Sequence, residues 1–190
     1  VCDKFSNPEW VASDLIGQAE HDNLAQCILI SKDKSLISRV EKEITIQLKE
    51  IPRASVARKS LKNNGILMHI NSDKKIIDIC NKLSPEHLEL NIKNYNYFVQ
   101  KIKNAGSICL GKYAVMAMTD YNIGSNHILP TNGSAKYSSG LSVNEFFKRI
   151  SYINMSKKGI ESLGPSVITL ANFEGLVGHA QSVKKRIRRK

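Results

Sequence analysis

Residues 25–31 read AQCILIS, an apolar run about as long as one β-strand. Two similar runs follow along the chain, GILMHI at 65–70 and SICLG at 107–111. A short apolar run bounded by polar residues is typical of a strand that is buried on both faces. These three segments therefore predict short buried strands.

The segments around these runs have helical periodicity. Asn7-Pro8-Glu9 supplies an N-cap residue, a proline at the first helical position and an acid in the first turn. Further helices are predicted where apolar residues repeat with helical spacing, at 36–48, 76–83 and, more weakly, 95–103. Strands that alternate with helices favour an α/β fold, here a Rossmann-like, open and mostly parallel sheet with flanking helices.

The character of the sequence changes after Gly111. Residues 112–140 are rich in Gly, Ser, Asn and Thr, and a loop of this length is more often functional than idle. Helical patterning returns at 143–150 and continues through the last forty residues. We therefore predict an α/β domain at 1–141 and a small helical C-terminal segment at 142–190.

Composition argues against a disordered, a membrane-spanning or a disulfide-rich protein. Of the 190 residues, 42% are hydrophobic and 24% charged, which is typical of a globular domain, and no apolar run is long enough to cross a membrane. Four cysteines without a CxxC pair indicate reduced thiols and a cytoplasmic protein. Because the first residue is Val and not Met, we expect a piece of a longer chain.

The net charge of +11 arises largely at one end of the chain, since six Lys and Arg residues and no acid lie in 181–190. A basic tail can bind the phosphate backbone of a nucleic acid, but a solvated helix end is the commoner case. We therefore expect no nucleic-acid partner.

Two short segments contain candidate site residues. Gln18 and His21 are three residues apart, so they could hold a metal from one helix face or simply form a polar helix end. Glu86 and His87, in SPEHLEL (84–90), could activate water and accept a proton. Taken locally, however, Ser84-Pro85-Glu86 favours an ordinary helix start.

Other candidates lie later in the chain. Asp120 and His127 fall in the long loop, and Glu174 and His179 lie near the end. His69, inside an apolar run, is interpreted as a structural histidine. The sequence contains neither GxGxxG nor GxxxxGK[ST], so it shows no recognisable phosphate-binding loop.

Together these segments resemble one family. The matching motifs, in chain order, are NPEW (7–10), QAEHD (18–22), SPEHLE (84–89), NAG (104–106), DYNIGSNHILPT (120–131), SSGLS (138–142) and EGLVGH (174–179). The chain resembles the C-terminal portion of histidinol dehydrogenase. The resemblance implies an NAD-linked, zinc-dependent, four-electron oxidation of L-histidinol to L-histidine through the aldehyde, in histidine biosynthesis.

The resemblance also implies roles for individual residues. Glu86 and His87 match the catalytic pair, and the zinc ligands match Gln18, His21, Asp120 and His179. The substrate-binding positions match Gln18, His21, His87, Asp120, His127, Glu174 and His179. In the family the C-terminal segment packs on a partner subunit, which implies a homodimer with shared sites. The main NAD contacts are expected in an N-terminal half that this chain lacks. The alternative is a non-catalytic module derived from this family that binds metal, an imidazole ligand or polyanions.

Overall fold

Four short parallel strands organise the first part of the computed structural model, which describes residues 1–187. They are β1 (Ile28–Ser31), β2 (Ile66–His69), β3 (His87–Leu90) and β4 (Ser107–Leu110). Strand β1 pairs with β2, and β3 pairs with β4. The α/β prediction is confirmed. Within the described residues, however, the strands form two two-stranded sheets, and a single Rossmann-like open sheet is not confirmed.

The two sheets approach each other at Cys2. Its backbone forms one parallel bridge to Ser31, at the end of β1, and one to Asn91, directly after β3. The Cys2 N–H donates to the Ile30 carbonyl at 2.9 Å, and the Asn91 N–H donates to the Val1 carbonyl at 2.9 Å. A single bridged residue is shorter than a strand, which explains why the hydrogen-bond ladders remain separate.

Helices surround the strands in the first of two compact units, Val1–Glu145, and make up most of the second, Phe146–Lys190. Those of the first unit are α1 (Pro8–Ala19), α2 (Lys34–Gln47), α3 (Ala54–Asn64), α4 (Asp73–Leu83), α5 (Tyr95–Val99) and α6 (Met116–Tyr121). Those of the second are α7 (Lys157–Phe173) and α8 (Val177–Ile187). Short 3-10 turns occupy Ser134–Lys136 and Val143–Phe146.

The predicted start of the first helix is confirmed. The Asn7 side chain accepts a hydrogen bond from the Glu9 N–H at 2.9 Å, and Pro8 is the first helical residue. Asp33 and Ser72 cap α2 and α4 in the same way. Helix α3 was not predicted, because its buried residues, Ala57 and Ser60, are small and the segment is mostly polar.

The helix start predicted from the local pattern at Ser84-Pro85-Glu86 is wrong. Ser84 does not begin a helix but ends α4, with a left-handed backbone (φ 51°). The following HLEL segment is β3, in which Leu88 and Leu90 are buried. The alternation of apolar and polar residues therefore determined the structure, rather than the helix-start pattern.

The polar stretch at 112–140 is not a continuous loop, since it contains α6 and a 3-10 turn. The predicted helix at 143–150 is wrong beyond its first turn, because only Val143–Phe146 has helical structure and all residues from 143 to 150 are exposed. With no apolar face packed against a neighbour, a short helical pattern gains little stability.

Two apolar clusters form most of the core of the first unit. One joins β1, β3, α4 and α5 through residues that include Ile76, Leu90 and Phe98. The other packs α1 against β1 and α2 through residues that include Leu36 and Val40. All four cysteines are buried free thiols, as predicted.

The second unit contains α7 and α8, so most of its described residues are helical. The last three residues of the predicted basic tail, 188–190, lie outside the described residues. In the described part of the chain, we find no helix with the length and hydropathy needed to span a membrane.

Candidate active site

A cavity of about 390 Å³ in the first unit brings three predicted site residues together: Gln18, Glu86 and His87. Gln18 belongs to the last turn of α1, and His87 is the first residue of β3. Asp14, Glu89 and Met116 also line the cavity. A concave site with a few convergent polar groups is the usual setting for binding a small molecule.

The Glu86–His87 pair lies at the start of β3. The Ser107 N–H donates to the Glu86 carbonyl at 2.8 Å, which fixes this backbone against β4. Glu86 Oε1 lies 4.0 Å from His87 Nε2, and the exposed fraction is 13% for the His87 side chain and 34% for that of Glu86. An acid and an imidazole are therefore adjacent, with the carboxylate on the more open side.

Three buried polar atoms of predicted site residues have no hydrogen-bond partner within the described residues: Gln18 Oε1, His87 Nδ1 and Asp120 Oδ1. Buried polar atoms nearly always have a partner, so three such atoms on candidate residues indicate contacts to a ligand. Amide and carboxylate oxygens are acceptable ligands for zinc, and imidazole nitrogen is a preferred one. The buried atoms of these three residues are therefore of donor types that bind a metal ion or a polar ligand.

The remaining candidates lie on the surface. Helix α1 ends at Ala19, so His21 lies in the following turn, where its N–H donates to the Gln18 carbonyl at 3.4 Å. His21 and His127 are exposed in the first unit, as are Glu174 and His179 in the second. Among residues 1–187, no three His, Cys, Asp or Glu side chains converge to hold a metal ion.

His69 is also exposed, at the end of β2. Its Nε2 lies 3.1 Å from the Lys32 carbonyl. The ring therefore has a partner within the protein, although the residue is exposed and not enclosed in an apolar strand.

Comparisons with known proteins identify the family. The family model for histidinol dehydrogenase matches residues 1–187. The chain belongs to the histidinol dehydrogenase family.

Individual relatives agree with the family model. The chain is similar to histidinol dehydrogenase from Pelagibacter ubique (strain HTCC1062), with 79% identity over all 190 residues and 44% of the relative. It is 44% identical to that from Nitrosomonas europaea, over 98% of the chain and 43% of the relative. It also matches the crystal structure of histidinol dehydrogenase from Elizabethkingia anophelis, with a TM-score of 0.90 and 38% identity over 98% of the chain and 43% of the other. The chain thus spans less than half the length of these histidinol dehydrogenases.

One feature of the cavity was missed by sequence reasoning: a carboxyl pair formed by Asp14 and Glu89. Burial, the negative charge of Glu89 and a hydrogen bond to Glu89 together raise the pKa of Asp14 to about 7, with burial the largest cause. Spacing could have identified both residues, since Asp14 precedes Gln18 by one helical turn and Glu89 follows His87 by one strand repeat.

The Cys109 thiol senses the charges of three acids of the first unit, Glu89, Asp14 and Asp120. It is opposite Glu89 in the pairing of β3 with β4. Burial, and after it the negative charges of Glu89, Asp14 and Asp120, raise the pKa of Cys109 to about 11. The carboxyl pair and Asp120 are therefore all within electrostatic reach of a single thiol.

Gly106 provides a test of the backbone at this site. A methyl group added at Gly106 would lie 2.6 Å from the Glu86 carbonyl oxygen, so Gly106→Ala must displace the start of β3. We expect a stability loss of about 1–3 kcal/mol. Since a shift of about 1 Å in a reacting group can cost ~10²-fold, we also expect a comparable loss of kcat in the full-length enzyme.

The matched control for Gly106 is Gly17→Ala in α1, where an added methyl group meets nothing within 4 Å. This variant should gain about 0.5–1 kcal/mol because alanine favours the helix. Thermal unfolding and steady-state kinetics measure both variants. Equal activity of the Gly106 and Gly17 variants would show that the Glu86 backbone position is unimportant.

Proposed function

We propose that this chain forms part of a zinc-dependent, NAD-linked histidinol dehydrogenase, which oxidises L-histidinol to L-histidine through the aldehyde in the cytoplasm. The observation that carries this proposal is the set of unpartnered buried atoms on Gln18, His87 and Asp120. Membership of the histidinol dehydrogenase family supplies the substrate class. The proposal thus joins the family's chemistry to polar atoms that otherwise lack a partner.

We propose that zinc is held by Gln18, His21, Asp120 and His179. The set contains two imidazoles, one amide and one carboxylate, which suits a borderline-soft ion with positions left for substrate. When bound, zinc supplies a Lewis acid that fixes the imidazole and amino groups of histidinol. Gln18 and Asp120 provide the buried oxygens of this set, while His21 and His179 are exposed.

His87 and Glu86 divide the proton chemistry. His87 accepts the proton of the substrate hydroxyl as hydride leaves the adjacent carbon. Glu86, on the more open side, activates the water that adds to the aldehyde before the second hydride leaves. His127 and Glu174 are proposed to contact the substrate, with the Glu174 carboxylate pairing with its ammonium group.

We propose that the main NAD contacts lie in the part of the enzyme that this chain lacks. The chain spans less than half the length of its relatives, and it contains no glycine-rich phosphate loop. The proposed division of labour gives residues 1–141 most of the metal and catalytic site and leaves the dinucleotide site to the rest of the enzyme.

We propose a homodimer in which residues 142–190 pack on a partner subunit and complete its site with Glu174 and His179. The support is an unpartnered apolar surface. In α7, Leu163, Val167 and Leu170 repeat with helical spacing and are all exposed, and Phe173 is 90% exposed. Exposed apolar stripes of this kind mark protein–protein contacts.

The two sheets of the first unit are proposed to be halves of one Rossmann-like sheet, in the order β2, β1, Cys2, β3, β4. The parallel bridges from Cys2 to Ser31 and to Asn91 support this order, because they place a single residue where a central strand would lie. In such a sheet a central segment separates two strand pairs, as it does in doubly wound folds.

His21 provides the direct test of the zinc assignment. In the full-length enzyme, His21→Ala should lower zinc affinity by at least the ~10–100-fold that loss of an outer-shell partner costs. His69→Ala is the matched control, since His69 is an exposed histidine with a backbone partner. Zinc per subunit is measured by mass spectrometry after dialysis against a zinc buffer. Equal zinc retention in both variants would contradict the ligand set.

A further inference from the structure

Asp14 and Glu89 form a carboxyl pair inside the cavity, and the proposed chemistry does not use it. Asp14 lies on α1 and Glu89 on β3, both line the cavity, and their side chains are hydrogen-bonded to each other. Within residues 1–187, neither carboxyl forms a salt bridge with a Lys or Arg side chain. Burying two neighbouring carboxyls without a cation costs free energy, because desolvation and the like charge both disfavour their ionised forms.

Glu89 also contacts a third element of the first unit. Its Oε1 accepts a hydrogen bond from the Met116 N–H at 2.9 Å. Met116 is buried and is the first residue of α6. The pair therefore connects α1, β3 and the start of α6 through two side chains.

The two proposed oxygen ligands, Gln18 and Asp120, are each four residues after a residue that contacts Glu89. Gln18 follows Asp14 by four residues on α1, and Asp120 follows Met116 by four residues on α6. Residues four apart lie on the same face of a helix, one turn from each other. Each proposed ligand thus lies one helical turn after the residue of its own helix, Asp14 or Met116, that contacts Glu89.

Within residues 1–187 neither ligand atom has a hydrogen-bond partner, since Gln18 Oε1 and Asp120 Oδ1 are both buried without one. Their positions must therefore depend on the helices that carry them. We infer that the Asp14–Glu89 carboxyl pair is a positioning pair that sets the separation of Gln18 and Asp120 for zinc. This inference rests on the proposed function and names no new ligand for the metal.

The test compares zinc affinity among variants of the full-length enzyme by competition with a chromophoric chelator. Asp14→Leu has the same branching as Asp but cannot hydrogen-bond to Glu89, and we expect its zinc affinity to fall about 10–100-fold. Asp14→Asn keeps a hydrogen-bond donor toward the Glu89 carboxylate. Its zinc affinity should stay within about threefold of that of the unaltered enzyme, because the hydrogen bond that positions the ligands is retained.

Two further variants complete the design. Asp78→Leu removes an exposed acid from α4 and should leave zinc affinity unchanged. If Asp14→Leu fails to fold in a thermal-unfolding measurement, Asp14→Ala removes the same hydrogen bond without adding apolar bulk. Its affinity should then fall in the same range.

The outcomes are distinguishable. Unaltered zinc affinity in the folded Leu or Ala variant would overturn the positioning role. An Asn variant that loses as much affinity as the Leu variant would also overturn it, because the hydrogen bond would then not be what matters. If the unaltered enzyme binds no zinc, or Gln18→Ala leaves zinc affinity unchanged, the proposed function fails and the inference falls with it.

Discussion

Replacing His87 with Asn in the full-length enzyme is expected to slow both oxidations by about 10²–10⁴-fold, the usual contribution of a general base. Each oxidation releases a proton as hydride departs, and His87 is the mostly buried imidazole of the cavity. Asn has a similar shape but cannot accept that proton. Single-turnover measurements that start from histidinol and from the aldehyde report the two steps separately.

Glu86→Gln should act on one step only. The first oxidation needs no water, so its rate should stay within a few-fold of the unaltered enzyme. The second needs an activated water and should fall by about 10²–10⁴-fold. The side chain is the more exposed member of the pair, which suits contact with solvent.

Controls for this pair come from the same chain. His69→Asn changes a histidine whose partner is the Lys32 carbonyl, and Glu41→Gln changes an exposed acid on α2. Neither should alter either step. A uniform loss of both steps in the Glu86 variant would contradict the division of labour, while leaving both residues within the site.

The 190-residue chain alone is expected to form no NADH from histidinol. Hydride transfer requires the nicotinamide within reach of the reacting carbon, and a misplacement of about 1 Å costs ~10²-fold. The chain has no recognisable phosphate loop and spans less than half the length of its relatives. Activity should reappear when the missing part is supplied, either fused or as a separate chain.

The measurement for this chain is NADH absorbance, run beside a zinc-binding assay on the same sample. A silent chain that still binds zinc agrees with the proposal. Robust NADH formation by the chain alone would refute it and would place a dinucleotide site within these residues. Inactivity of the reassembled enzyme, together with salt-sensitive RNA binding by the basic tail, would favour the non-catalytic alternative.

Local sequence determined much of the fold. The Asn7-Pro8 start of α1 and the positions of three of the four strands follow from patterns of capping and apolar spacing, which act over a few residues, but β2 is mostly exposed and not buried as predicted. The motif order identified the family because it depends on residue identity alone. Helix α3 was not predicted, since the residues that it buries are small and its sequence is mostly polar.

Residues 84–90 show where local patterns fail. Ser84-Pro85-Glu86 favours a helix start, yet the segment continues into β3 because its backbone pairs with β4 and because Leu88 and Leu90 enter the core. A strand takes its hydrogen bonds from another part of the chain, so no local pattern can specify them.

The sequence by itself determined the family, because the order of motifs depends on residue identity alone. It also determined the start of α1, because capping acts over a few residues. Only the tertiary structure decided that Gln18, Glu86 and His87 share a cavity. It alone also showed that Asp14 and Glu89, far apart in sequence, form a carboxyl pair beside them. Burial and distance between elements decide which polar atoms are left without a partner, and neither quantity exists until the chain has folded.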